Sequence, residues 1–334
     1  MGLPAPNPDH REQGSILGTA VDGYFAVPLS CLRVDTITSF TIYLRNPPDG
    51  NRYVFYRESN LLFSDRHHCK LEENGVTHIY IAAADRKLYL RYLEAHIDEI
   101  LQDPKLSSAE KNEIHYACAT KLAEDLFNDP RSGENVKRAR RMVDATVHHI
   151  LQEAGRLSAL IDVMSFDYYT YTHSVNVCVL GVALGHRIGL TPEELEALGV
   201  GLLLHDMGKS EIDVAVLNKH GPLSDEEWEL MKTHPQLGVD IFKHSPLVGP
   251  VALTVILQHH EKCTGCGYPA GLRGTEIHRF AKIAALVDVF DALTTERAYR
   301  GALQSFTAIQ VMKNEMEVDF DPDLFRQFIQ LLGA

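Results

Sequence analysis

The period of the apolar residues changes once along this chain, near Leu88, and no other feature restricts the possible folds as much. Before that point apolar and polar residues alternate. Phe40, Ile42 and Leu44 are interleaved with Thr41 and Tyr43, and after Asn46-Pro-Pro-Asp-Gly-Asn51 comes Tyr53-Val-Phe-Tyr56. A period of two belongs to strands with one buried face, so the stretch reads as a hairpin. Asn74-Gly75 then precedes the apolar run Val76 to Ala84, a further strand expected after a tight turn. Past Leu88 the spacing becomes three and four: Leu90, Leu93, Ile97, Ile100 and Leu101 share one helical face. The remainder reads as helical. Ser107-x-x-Glu110, Thr191-Pro192-x-Glu194 and Ser224-x-x-Glu227 each offer a hydroxyl cap with a glutamate at the third position. Pro192 falls at the first helical residue, where its missing N–H is no loss.

The expected architecture is therefore α+β: a small β-rich domain over residues 1–88, connecting helices over 89–154, and an all-α helical bundle over 155–334. A chain of 334 residues suits two domains, and 45% hydrophobic with 23% charged residues is ordinary for a folded protein. The β-rich part has no recognisable motif. Signal sensing, partner binding and dimerisation all remain open for it.

A formal charge of -13 argues against a broad basic surface for DNA or RNA, because that binding depends on Lys and Arg neutralising phosphates. A small anionic ligand stays possible if metal ions or a few bases supply local positive charge. The first residues, Met-Gly-Leu-Pro-Ala-Pro-Asn-Pro, lack the basic and apolar regions of a signal peptide. The most apolar stretch, Val175 to Leu190, is interrupted by His186 and Arg187, short of the roughly 18 apolar residues of a membrane span. Six cysteines are scattered without a secreted disulfide pattern. A soluble cytoplasmic protein with reduced thiols is expected.

The residues that carry chemistry lie in the second half. His205-Asp206 follows the apolar run Val200 to Leu204, His259-His260 follows Val251 to Leu257, and Asp288 interrupts Ile283-Ala-Ala-Leu-Val-Asp-Val-Phe. Ionisable side chains at the ends of buried segments are costly unless they find partners there. With His173 and His234 they form an imidazole and carboxylate set of the kind that holds iron, manganese or zinc. A lone histidine on an apolar face is usually structural; several such segments together are hard to explain that way.

Five strings occur in order: His205-Asp-Met-Gly-Lys209, Lys232-Thr-His-Pro235, His259-His-Glu-Lys262, Gly265-x-Gly-Tyr-Pro269 and Asp288-Val-Phe-Asp-Ala-Leu-Thr-Thr-Glu-Arg297. Over about residues 155–320 the chain resembles the HD-GYP domain, a branch of the HD metal-dependent phosphohydrolases. The resemblance implies hydrolysis of the bacterial second messenger cyclic di-GMP, or of a related cyclic dinucleotide, to the linear pGpG and in some members to GMP. It implies metal ligands at His173, His205, Asp206, His234, His259, His260 and Asp288, with Asp206 as the bridge between ions. Lys209, four residues after His205, would share its helical face and meet the scissile phosphate. Arg297 and Arg300 would contact phosphate through their planar forks, and Tyr268 would shape the substrate pocket. Attack by a metal-bound hydroxide is expected, with no protein nucleophile.

Two positions depart from the family. Tyr169 stands where members with three metals carry a glutamate, so two divalent ions, iron or manganese, are expected. Thr264 replaces the usual aspartate before the Gly-x-Gly-Tyr-Pro stretch, whose glycines also suit a simple turn. Cys263-Thr-Gly-Cys266 lacks a second ligand pair and a thioredoxin-like context, and reads as coincidence ahead of a redox-sensitive loop. His67-His68 and His148-His149 are left unassigned, the latter on a helix face expected to be solvated after the basic run Lys137 to Arg141. The competing reading, from a different class, is a catalytically silent module that binds a cyclic dinucleotide or a signalling partner. A homodimer is also allowed.

Overall fold

The computed structural model describes residues 17–18, 20–45, 52–152, 170–219, 221–295 and 301–333. The chain forms two compact units, Met1–Cys118 and Ala119–Ala334.

In the first unit, strands β1 (Tyr24–Pro28), β3 (Ile42–Arg45), β4 (Tyr53–Arg57) and β6 (His78–Ala82) form an antiparallel sheet in the order β1-β6-β3-β4. Strands β2 (Thr36–Thr38) and β5 (Leu61–Phe63) pair separately. Alternation does what the sequence indicates: Phe25, Val27, Ile42, Ile79 and Ile81 are buried, and Phe25 meets Tyr89 of helix α2 (Arg86–Ala95). The expected hairpin is β3–β4; its connection, 46–51, lies outside the described residues.

Asn74-Gly75 acts differently from expectation. The residues before it form a helix, α1 (Asp65–Glu73), so the pair closes that helix, with Gly75 at φ +71° and its N–H donating to Glu72 O. A left-handed glycine after a helix satisfies otherwise orphaned carbonyls. The strand after it is present as β6. The face from Leu90 to Leu101 is divided at His96 between α2 and α3 (Ile97–Gln102); Leu93, Ile97, Ile100 and Leu101 are buried.

All three cap signals are used. Ser107 and Glu110 exchange hydrogen bonds at the start of α4 (Ser108–Asn128), and Thr191 with Glu194 and Ser224 with Glu227 do the same at later helices.

The second unit is helical. Helix α7 (Pro192–Leu204) lies at its centre, packed by α5 (Gly133–Gln152), α6 (Thr170–Arg187) and α11 (Pro250–Gln258). Close approach on several sides demands small residues. A Cβ on Gly199 would stand 2.6 Å from Val143 Cγ1, and one on Gly201 2.7 Å from Val255 Cβ. Helix α12 (Arg279–Thr294) covers α6, and α10 (His234–Phe242) lies on α11 and on the 3-10 turn Met207–Glu211.

The basic run Lys137 to Arg141 is only partly solvated. Arg138 is buried and donates to Asp125 and Asn135, both at 3.0 Å, and His149 is buried while His148 is exposed. The helical period of α5 turns those alternate positions inward. Among the described residues, no helix is long and apolar enough to cross a membrane.

Candidate metal centre

Five helices and one 3-10 turn bring side chains to the same place. Helix α7 stops at Leu204, so His205 and Asp206 project beyond its C-terminus, each 1% exposed. Helix α11 stops at Gln258 and leaves His259 fully buried and His260 partly so. His234 opens α10, and His173 and Asp288 come from within α6 and α12. Two ligand groups result: His173, His205 and Asp206, and Asp206, His234, His259 and His260, the donor atoms of each lying within 4.8 Å of one another.

Asp206 belongs to both groups. Its Oδ2 lies 3.5 Å from His205 Nε2 and 3.7 Å from His173 Nε2, while Oδ1 lies 3.3 Å from His234 Nε2 and 3.8 Å from His259 Nε2. Asp288 closes the ring, with Oδ1 3.1 Å from His173 Nε2 and Oδ2 3.7 Å from His260 Nδ1.

The backbone sets which imidazole nitrogen faces inward. Nδ1 of His205, His234 and His259 lies 2.7, 2.8 and 2.8 Å from the carbonyl oxygens of Leu202, Met231 and Ile256. A carbonyl only accepts, so each Nδ1 carries the proton and each Nε2 of a neutral ring presents a lone pair to the centre. Two of those lone pairs, on His234 and His259, face each other at 3.1 Å. Among the described residues, buried His205 Nε2 and Asp206 Oδ1 have no hydrogen-bond partner. Burying unpaired acceptors at such a distance is unfavourable unless a cation lies among them. The residues present thus fit one or more bound metal ions.

Charge states agree. Burial, reinforced by the neighbouring imidazoles, holds His259 well below the usual histidine range; burial also lowers His205 and pushes His260 down to about 3. Burial opposes ionisation of Asp206, but Lys209, His205 and His234 outweigh it and hold the carboxyl well below its ordinary range. Asp288 is lowered against burial by His173. For His173, hydrogen bonds to Asp288 and Asp291 overcome burial and raise it. Neutral imidazoles at His205, His259 and His260 beside ionised carboxylates are a donor set for a borderline divalent cation, whereas its two aspartates favour the protonated ring of His173.

Lys209 does not share a helical face with His205 as its spacing suggests. The α-helix has already ended, and in the 3-10 turn the ammonium reaches back to Asp206 Oδ2 at 2.5 Å. Gly208 makes this turn possible: a Cβ there would lie 1.9 Å from His234 O and 2.5 Å from Gly238 N. Tyr268 tilts over His260 with ring centroids 4.6 Å apart, and burial pushes its hydroxyl up, keeping it a neutral phenol. The glycines of its loop differ in purpose. Gly265 has φ +80°, whereas a Cβ on Gly267 would strike the backbone of Glu261 and His260 at 2.5 Å. Cys263 and Cys266 are free thiols, and Thr264 donates to Asp319 at 2.8 Å. Tyr169, Arg297 and Arg300 lie outside the described residues.

Two supporting carboxylates escaped the sequence reading. Asp291, 1% exposed, lies 2.7 Å from His173 Nδ1 and accepts from Asn176 at 2.8 Å, which orients the ring. A second acid one turn after Asp288 in an otherwise apolar helix was its signal. Glu261, 2% exposed, accepts from the N–H groups of Ala270 and Leu272 at 2.7 and 2.9 Å and thereby ties down the loop that carries Tyr268. Its partners are main-chain groups, which leave no mark in the sequence.

A helical bundle whose helix ends converge on paired histidines and aspartates defines the class. The HD domain family model matches residues 140–324, more than half of the chain, and the chain belongs to that family. Within it, the ordered strings from His205 to Arg297 make this an HD-GYP protein. Among curated relatives, a cyclic di-GMP phosphodiesterase of Pseudomonas aeruginosa is 36% identical over 210 residues, 62% of this chain and 50% of that protein. A 3'3'-cGAMP-specific phosphodiesterase of Vibrio cholerae is 29% identical over 69% of this chain and 46% of its own length. A cyclic di-GMP phosphodiesterase of Thermotoga maritima is 25% identical over 77% and 71%. The chain thus spans about half the length of the first two relatives. A solved structure described as an HDG"Y"P protein from Bdellovibrio bacteriovorus superimposes with a TM-score of 0.63 at 21% identity, covering 93% of this chain and 100% of that one, and shares the fold.

Proposed function

We propose that this chain hydrolyses a cyclic dinucleotide, cyclic di-GMP foremost, opening a phosphodiester to give the linear pGpG at a centre of two divalent ions, iron or manganese. The observation that carries the proposal is Asp206, whose two oxygens face two different sets of imidazole nitrogens. His173 and His205 would hold one ion, His234, His259 and His260 the other, with Asp206 between them and Asp288 joining His173 to His260. Such ions, when bound, supply a nucleophile at neutral pH and neutralise charge on the phosphoryl group. The phosphodiesterase names of the Pseudomonas, Vibrio and Thermotoga relatives support the substrate class.

The protein's own groups have separable tasks in this reading. The Nδ1–H bonds to Leu202, Met231 and Ile256 prevent the rings from rotating. Lys209 keeps an ammonium beside Asp206, where a substrate phosphate would meet it. Tyr268 closes one side of the centre and excludes water there. Arg297 and Arg300 are proposed as phosphate contacts from their sequence positions. The free thiols fit a cytoplasmic setting. A signalling partner and a homodimer belong to the same proposal.

Anaerobic purification, a metal count, and chromatography of cyclic di-GMP incubated with Fe(II) or Mn(II) test this directly. Two metals per chain with pGpG as product are expected, and replacing His205 and Asp206 together by alanine should abolish both. A protein that holds two metals and yields no product would sink the enzymatic reading.

A further inference from the structure

Trp228 is the only tryptophan in the chain. It lies in the helix Asp225–Met231, which leads straight into His234, and it is 46% exposed. One side of the indole is engaged: its ring meets Tyr268 in a T-shaped contact with centroids 6.1 Å apart. Tyr268 in turn tilts over His260 at 4.6 Å and meets His234 edge-on at 6.4 Å. An aromatic path therefore runs from the ligand histidines to solvent, and Trp228 is its outer end.

The surroundings restrict what can lie on that indole. Asp225, Glu226 and Glu227 occupy the first turn of the same helix, and Glu227 already pairs with Lys219. Carboxylates there disfavour a phosphate, whose place is by Lys209 and the centre. A planar, uncharged group is favoured, because a half-exposed indole gains by covering its remaining apolar face and every nucleobase offers a π-face to it.

Building on the phosphodiesterase reading of this centre, we infer that Trp228 and Tyr268 form a base platform, with Trp228 stacking a purine of the cyclic dinucleotide whose phosphate sits at the metal-type cluster. Trp228 is then a binding residue of the substrate, and it favours purines because their stacked area is larger. Its contribution falls on KM or Kd, since the stack is made equally in the ground and transition states.

The lone indole makes the test direct. The full-length protein is titrated with cyclic di-GMP at low temperature while tryptophan emission is followed, and binding of the same ligand is measured in parallel by equilibrium dialysis. Saturable quenching that tracks the dialysis curve is expected, and cyclic di-UMP should bind several-fold more weakly. W228A should raise KM about five- to a hundredfold with kcat within about twofold, while W228F recovers most of the loss; unchanged circular dichroism confirms that both variants fold. Binding by dialysis with unaltered emission, or an unchanged KM in W228A, overturns the platform and leaves the phosphodiesterase reading standing. If dialysis detects no cyclic dinucleotide on metal-loaded protein, the substrate reading falls and the platform with it.

Discussion

At the scale of single residues, the centre is governed by which atom of each side chain is already engaged. Asp291 illustrates this. It fixes His173 through Nδ1 and leaves Nε2 directed at Asp206 and Asp288. Replacing it by alanine removes both the charge and the acceptor and frees the ring, so metal affinity should fall about 10- to 100-fold in competition with a chromogenic chelator. Unaltered affinity would mean that His173 is held by packing alone. Glu261 acts on the opposite wall. In Glu261→Ala the N–H groups of Ala270 and Leu272 lose their acceptor, a cost of about 1–3 kcal/mol for each that stays buried. Urea unfolding should show it, together with a raised KM as the Tyr268 loop loosens. The residue types of the centre were legible because His and Asp are conspicuous at the ends of apolar runs. Glu261 was not, since nothing in its neighbourhood announces a backbone partner.

Secondary-structure elements deliver these side chains by where they stop. Helix α7 ends at Leu204, and the tight 3-10 turn after it swings Lys209 onto Asp206. Helical spacing alone placed Lys209 beside His205, because a regular period cannot anticipate its own termination. Gly208 and Gly201 separate the roles of turn and core. In Gly201→Ala the new methyl meets Val255 at the crossing of α7 and α11, and overpacking should cost about 1–3 kcal/mol in a urea melt while metal binding survives. Gly208→Ala pushes against His234 O itself, so it should abolish metal binding even in protein that still unfolds cooperatively. If the two variants proved indistinguishable, the turn would have no special part in the centre. The caps at Ser107, Thr191 and Ser224 were readable beforehand because each is a local exchange of hydrogen bonds within four residues.

For the whole molecule, the charge states of the centre become a dependence of stability on pH. His205, His259 and His260 are lowered in the folded state, so the unfolded chain takes up protons near pH 6.5 that the folded chain refuses. Each therefore stabilises the fold above about pH 6.5 and loses that contribution as pH falls below it. His173 is raised and works in the opposite direction, its contribution being lost as pH rises through its folded value. Asp206 and Asp288, both lowered, lose theirs only below the usual carboxylate range. Three histidines outweigh one, and the melting temperature of metal-free protein should drop between pH 7 and pH 5. A flat or rising profile would contradict these charge states. Restoring metal at a hundredfold excess over its Kd should add about 2.7 kcal/mol of stability at neutral pH, an increment that shrinks on acidification as protons compete for the same nitrogens.

By itself the sequence determined the α+β fold class, the capped helix starts and the residue types that gather at the centre, whereas the division after Cys118 matches neither boundary read from the sequence. Periods of two and of three to four, hydroxyl caps and costly side chains beside apolar runs are all local consequences of the chain's chemistry. Tertiary structure alone decided that Asn74-Gly75 closes a helix, that Arg138 and His149 turn inward, that Lys209 pairs with Asp206, and that Trp228 lies two ring contacts from His260. Each of these depends on where separate helices end and meet. That is a property of packing between residues far apart in the chain, which no local pattern encodes.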